Sequence, residues 1–110
     1  MQISWNDFEK IDIRVGTVVD AQAFAKARKP AYKLWIDFGS LGTKRSSAQI
    51  TEHYKPEVLI GRQVVAVVNF APRQIADFIS ECLVLGIYAE DNSVVLLNPD
   101  KQLPNGSKIG

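Results

Sequence analysis

The stretch Ile11-Asp12-Ile13-Arg14-Val15-Gly16-Thr17-Val18-Val19 decides the fold class. Ile11, Ile13 and Val15 point one way and Asp12 and Arg14 the other, the period of two that a half-buried strand requires. Gly16 interrupts the alternation, and Val18-Val19 resume it in a shifted phase. A glycine inside a long strand marks a bulge or sharp bend, the device by which a small barrel turns its corner. The expectation is one long, bent strand.

Upstream, Ser4-Trp5-Asn6-Asp7 has the pattern of a capping box opening a short helix that ends near Lys10. Downstream, Ala25 to Pro30 reads as a basic loop. A second strand follows, with Tyr32, Leu34, Ile36 and Phe38 alternating against Lys33, Trp35 and Asp37. Gly39 to Gly42 is a turn into a third strand over Thr43 to Ile50. Thr51 can cap a helical segment that runs through Pro56 to Leu59 and stops at Gly61. Gln63 to Phe70 is a fourth strand, and Ala71 to Gln74 a loop. Ile75, Phe78 and Ile79 then have the spacing of one helical turn. Leu83 to Ala89 and Val94 to Leu97 form a hairpin around Glu90 to Ser93, and the tail from Asn98 reads as irregular. This order predicts an all-β, five-stranded oligonucleotide/oligosaccharide-binding (OB-fold) barrel with a short helix after the third strand and extra terminal segments. A small SH3-like barrel has a similar periodicity.

At 110 residues the chain reads as a single module, 1–110, because two cores would leave each half too small to hold together. Hydrophobic residues at 46% and charged residues at 23% are too apolar a mixture for a disordered chain. No apolar run approaches the roughly 18 residues of a membrane helix, so membrane insertion is not expected. The N-terminus lacks the basic start and apolar stretch of a signal peptide, so a cytoplasmic location is expected. One cysteine excludes an intrachain disulfide, and with one histidine it argues against a metal site. Val64 to Val68, Cys82 to Leu85 and Val94 to Leu97 are apolar on both strand faces, whereas a small barrel has one inside. The terminal segments can cover part of the surplus and a two-fold partner the rest, so a homodimer is expected.

No enzyme is expected. Gly39-x-x-Gly42-x-Lys44 lacks the spacing of a phosphate-binding loop, so no nucleotide cofactor is implied. Cys82 lies in an apolar strand, where a thiol is an inert packing group, and His53 in a polar segment. Acidic residues show no pairing suited to acid–base work. Binding chemistry is better represented. Lys26, Arg28, Lys29, Lys33, Lys44 and Arg45 face only Asp37 within residues 26 to 45, enough local charge to attract a polyanion, or else a solvated basic face. Lys33 and Trp35 share the outward face of the second strand, where an indole can stack an unpaired base or pack in a dimer interface. Thr43 to Gln49 combines Lys44 and Arg45 with short polar side chains able to contact phosphate or ribose; the same composition would guard an exposed edge strand.

The sequence also carries a resemblance. Phe8-x-Lys10-Ile11-Asp12-Ile13-Arg14-Val15-Gly16, Ala27 to Leu34, Ile36 to Gly39, Ser46 to Ile50, Gly61 to Val64, Val68-Asn69-Phe70-x-Pro72-Arg73-Gln74-Ile75 and Ser80-Glu81-x-Leu83-Val84-Leu85-Gly86 occur in order. Together they resemble the CsaA family of secretion-related bacterial chaperones, built on the tRNA-binding module that is also appended to some aminoacyl-tRNA synthetases. The resemblance implies a homodimeric barrel without catalysis. It implies binding of unfolded or precursor polypeptides, with the secretion ATPase and tRNA as further candidate partners; because no nucleotide site is visible in the sequence, that binding is expected to be ATP-independent. Synthetase-appended relatives usually continue Ser-Glu with Gly-Met; Cys82-Leu83 here favours the chaperone branch. Carried over position by position, the RNA-facing candidates are Lys26, Arg28, Lys29, Lys33, Ser46, Gln49, Asn69, Arg73, Ser80 and Glu81. Asn69 and Glu81 also suit a structural role, since a polar group ending a strand commonly satisfies neighbouring backbone amides.

Overall fold

The computed structural model describes all 110 residues. Helix α1, Trp5–Glu9, opens with the capping box: the Asp7 amide donates to the Ser4 hydroxyl and the Ser4 amide to the Asp7 carboxylate, both at 3.1 Å. Strand β1 spans Ile13–Ala23, longer than any other strand, and serves two neighbours in succession. Ile13 to Thr17 pair with β4, Gln63–Val67, and from Thr17 onward the strand pairs with β2, Tyr32–Asp37. The ladder with β2 slips between Val18 and Asp20, leaving Val19 bulged and exposed. The bend therefore sits three residues beyond the expected Gly16. Gly16 serves the packing instead. A Cβ there would lie 2.7 Å from Ile36 Cγ2 and from the Phe38 ring, so its missing side chain makes room for the core.

Strand β3, Thr43–Ala48, pairs with β2, and the main sheet runs β3-β2-β1-β4-β7, where β7 is Leu83–Val84. Every neighbouring pair is antiparallel, which leaves β3 and β7 parallel as the sheet curls and brings them together. This is a nearly closed five-stranded OB-like barrel with a short helix, all-β as the element order predicts. Leu34, Ile36 and Phe38 from β2 and its end meet Val18, Val64, Ala66 and Leu59 in the core. Leu59 comes from α2, Pro56–Leu59, which is shorter than expected because Thr51 to His53 form a turn and Pro56 takes the first helical position. No helix is long and apolar enough to cross a membrane.

Three segments depart from the sequence expectation. Arg73–Ile75 and Phe78–Ser80 form a hairpin, β5–β6, around Ala76-Asp77, where helical spacing was the only signal. Phe78 drives this, burying itself edge-on against Phe24 and Trp35 at ring distances of 5.5 and 5.7 Å. The expected strand over Leu83 to Ala89 breaks at Leu85: its first half, β7, joins β4, while its second half, β8 (Gly86–Tyr88), makes the expected hairpin with β9 (Val94–Leu96) in a separate ribbon. The fourth strand ends at Val67, and Val64 to Val67 are all buried within one chain. The double-faced apolar character of β4 is thus met internally, and the surplus apolar surface lies on the later strands. The tail, irregular as expected, runs along β1: Val15 donates to Ser107, and Gly106 and Ile109 donate to Val15 and Ile13, at 2.7 to 2.9 Å. Gln63 and Thr17 fasten it through Leu103 and Asn105.

Candidate polypeptide and nucleic-acid interface

Where β3 and β7 meet, side chains replace part of the strand ladder. The Glu81 amide donates to the Arg45 carbonyl at 2.7 Å, and the Arg45 amide donates to the Glu81 carboxylate at 3.0 Å. The Ser46 hydroxyl donates to the Cys82 carbonyl at 2.9 Å, and the Ser47 amide donates to the Ser80 hydroxyl at 3.1 Å. Beyond these clamps the strands part, and no main-chain hydrogen bond joins Ala48–Ile50 to Val84–Leu85.

The parting opens a cleft of about 1050 Å³. Its lining is mostly apolar, through Ile50, Ile75, Leu83, Val84, Leu85 and Val94, with Ser47, Gln49 and Asn92 among them. Its lip carries Lys26, Arg28, Lys29 and Arg73 and no carboxylate. A smaller hollow of about 290 Å³ adjoins it, sharing Ser47, Arg73, Ile75 and Leu83 and adding Phe70, Ser80 and Glu81. Asp77 sits 2.9 Å from Lys26, a bond that holds its carboxyl below the ordinary range. Arg28, Lys29 and Arg73 have no acidic partner within ion-pair distance.

The candidate residues named from sequence therefore divide. Lys26, Arg28, Lys29, Gln49 and Arg73 come together on the cleft. Lys33 and Trp35 share an outward face as expected, but that face is covered by the β5–β6 hairpin. The Lys33 ammonium lies 4.9 and 5.4 Å from the Phe24 and Phe78 ring centres, and Arg45 lies 5.5 Å from Phe78. Trp35 packs against Phe78 instead of standing free. Lys44 pairs with Ile36 near the start of β3, outside the cleft. Ser46 is 1% exposed inside the barrel. Ser80 and Glu81 clamp the seam. Asn69 ties two loops together, accepting from the Asp12 amide at 3.0 Å and donating to the Lys10 carbonyl at 2.7 Å. Leu83 to Leu85 and Val94, whose two-faced apolar pattern predicts cover by the terminal segments and a two-fold partner, line the cleft, and that pattern is the sequence signal for it.

Cys82 is buried, and burial pushes its thiol up from 9.0 to about 11, as for an inert packing group. His53 hydrogen-bonds to the Ser93 hydroxyl at 2.7 Å, which itself donates to Asp91. No group of three His, Cys, Asp or Glu side chains is placed to hold a metal ion.

The family profile described as "Putative tRNA binding domain" matches residues 13–108. The crystal structure of chaperone CsaA from Bacillus anthracis is 55% identical, with each chain covered over 100% of its length and a TM-score of 0.95. The chain belongs to the tRNA-binding-domain family, in its CsaA branch. The CsaA chaperone protein of Picrophilus torridus is likewise 55% identical, covering 99% of this chain and 100% of its own, with a TM-score of 0.92. The methionine–tRNA ligase of Bacteroides fragilis is 39% identical over 107 residues, 97% of this chain and 16% of the ligase. The chain thus spans about a sixth of that ligase, and the likeness is to this domain alone. The CsaA resemblance and the barrel read from sequence both hold.

Proposed function

We propose that the protein is an ATP-independent, export-related molecular chaperone that holds unfolded or precursor polypeptides, works in the cytoplasm as a homodimer, and catalyses no reaction. The observation that carries this reading is the cleft: a mostly apolar surface open to solvent, in a chain 55% identical over its whole length to proteins named as chaperones. An apolar trough recognises surface type more than sequence order, as a holder of many clients must. The secretion ATPase is the partner to which precursors would pass. Exposed apolar surface for self-association outside the cleft lies on the β8–β9 ribbon, where the paired Ile87 and Val95 are 57% and 41% exposed.

A second reading, structure-specific tRNA binding, is supported by the four cations on the lip and by the family match. Arg28, Lys29, Arg73, Gln49 and Lys26 would touch the phosphate backbone, while Ser46, Asn69, Ser80 and Glu81 serve the fold. The test is suppression of aggregation of a urea-unfolded client at equimolar protein without nucleotide, alongside light scattering for the oligomeric state. Protection by a dimer is expected. Lack of protection of several unrelated clients overturns the chaperone reading, and a monodisperse monomer overturns the dimer.

A further inference from the structure

The two edges of the open seam are not equivalent to ordinary surface, because their main-chain groups are aimed at each other across it. In an antiparallel ladder both main-chain groups of a residue point to the same side, and alternate residues point to opposite sides. On β3, the Arg45 amide and carbonyl and the Ser47 amide all turn away from β2. The same parity turns the Ser47 carbonyl toward the cleft, and Gln49, the residue just past the end of β3, lies on the cleft lining. On β7, Leu83 pairs with Val67 of β4, and just past the strand the Leu85 amide donates to Val65, so the Val84 amide and carbonyl between them point away from β4, toward the cleft from the opposite wall.

We propose that an extended stretch of client polypeptide enters this seam as an added strand, completing the barrel, with its apolar and acidic residues alternating. The inference rests on the polypeptide-binding reading above. Alternate side chains of an extended strand stand on opposite faces. One set meets Ile50, Val84 and Val94; the other meets Arg28, Lys29 and Arg73, which have no acidic partner in the chain. Main-chain bonding gives affinity without demanding a sequence, which suits a holder of many clients. An RNA strand satisfies the lip and can accept from single amides, but it does not present the alternating donors and acceptors of a strand and gains little from the apolar walls.

The test uses the full chain and a labelled decapeptide of alternating valine and glutamate. Hydrogen exchange follows the Gln49 and Val84 amides, and anisotropy follows affinity for the peptide and for a version whose two central amides are replaced by esters. Peptide binding should slow exchange at both amides at least about tenfold, and the esters should weaken binding about fivefold or more, the worth of one main-chain bond. Unchanged exchange at both amides, or esters that bind within twofold of the parent, overturns the proposal. Protection of these amides by tRNA and not by peptide makes the seam an RNA site and overturns it equally. A client held from aggregation without either peptide effect leaves the chaperone reading standing and removes the added strand. Peptide protection without suppression of aggregation does the reverse.

Discussion

Glu81 separates a residue that faces a ligand from one that holds the barrel shut. Its carboxylate accepts from the Arg45 amide at 3.0 Å and from Arg45 Nε at 3.4 Å, at a half-buried site between strands that share no ladder. Glu81→Ala removes the acceptor and leaves the Arg45 amide unpaired. A stranded donor of this kind costs about 1–3 kcal/mol, and a bond to a carboxylate lies in the upper half of that range. We therefore expect a loss of about 2 kcal/mol. Glu81→Gln keeps a carbonyl acceptor and should cost less than about half as much. In urea, with a slope of about 1–1.5 kcal/mol/M for a chain of this size, the alanine variant should unfold between about 1 and 2 M earlier. Protein concentration must be equal in all samples, because self-association would add its own term. Midpoints for Glu81→Ala and the parent within about 0.3 M of each other would refute the clamp and return Glu81 to the ligand-facing residues.

Gly16→Ala would drive a methyl to 2.7 Å from Ile36 and Phe38 and should cost about 1–3 kcal/mol by urea unfolding, despite the stiffer unfolded chain. For Cys82 the sign follows from its raised value: the unfolded thiol releases its proton near pH 9.0 and the folded one near 11. Stability is whole below pH 9.0 and falls as pH approaches 11, by on the order of 2 to 3 kcal/mol, a decline that Cys82→Ala should lack. Arg28→Ala and Lys29→Ala should each weaken tRNA binding and lower the salt slope by nearly one unit if each meets a phosphate. Lys33→Ala should instead lower stability, since its ammonium rests on Phe24 and Phe78, with the slope unchanged.

The parts of the fold legible in sequence are those where local pattern and burial agree. Leu34, Ile36 and Phe38 alternate in the sequence and are all fully buried, and Ser4 caps the helix that its spacing announces. The β5–β6 hairpin was not legible, because three-residue strands carry no period and its existence depends on Phe78 finding Phe24 and Trp35 across the barrel. The same long-range contact half-buries Trp35 and occupies Lys33, which is why an outward-facing base-and-indole pair reads in sequence as a stacking platform. Asn69 and Glu81 lie at strand ends and take the backbone amides that such a position suggests, whereas Ser46 looks available in a one-dimensional string, and only the closing of β3 onto β7 shows that it bonds the Cys82 carbonyl. The basic loop from Lys26 to Lys29 was legible as charge, but its position over an apolar trough was not, since the trough is made of residues from several separate strands and loops.

The lip and the seam explain each other. A barrel whose ladder closed completely would hide its strand edges; here Glu81, Ser80 and Ser46 pin one end of the β3–β7 junction and leave the other end open. An open edge with apolar walls invites pairing with any other exposed strand, including one from a second copy of the chain. Charge is the usual guard, and Arg28, Lys29 and Arg73 stand at this mouth with no acids to neutralise them. Two copies approaching seam to seam would bring like charges together, whereas an acidic segment or a phosphate backbone would be drawn in. The cations thus select what enters an edge that the clamps keep available, and the selection weakens with salt because it is electrostatic. Raising ionic strength should accordingly erode discrimination between acidic and neutral clients before it erodes the holding of apolar ones.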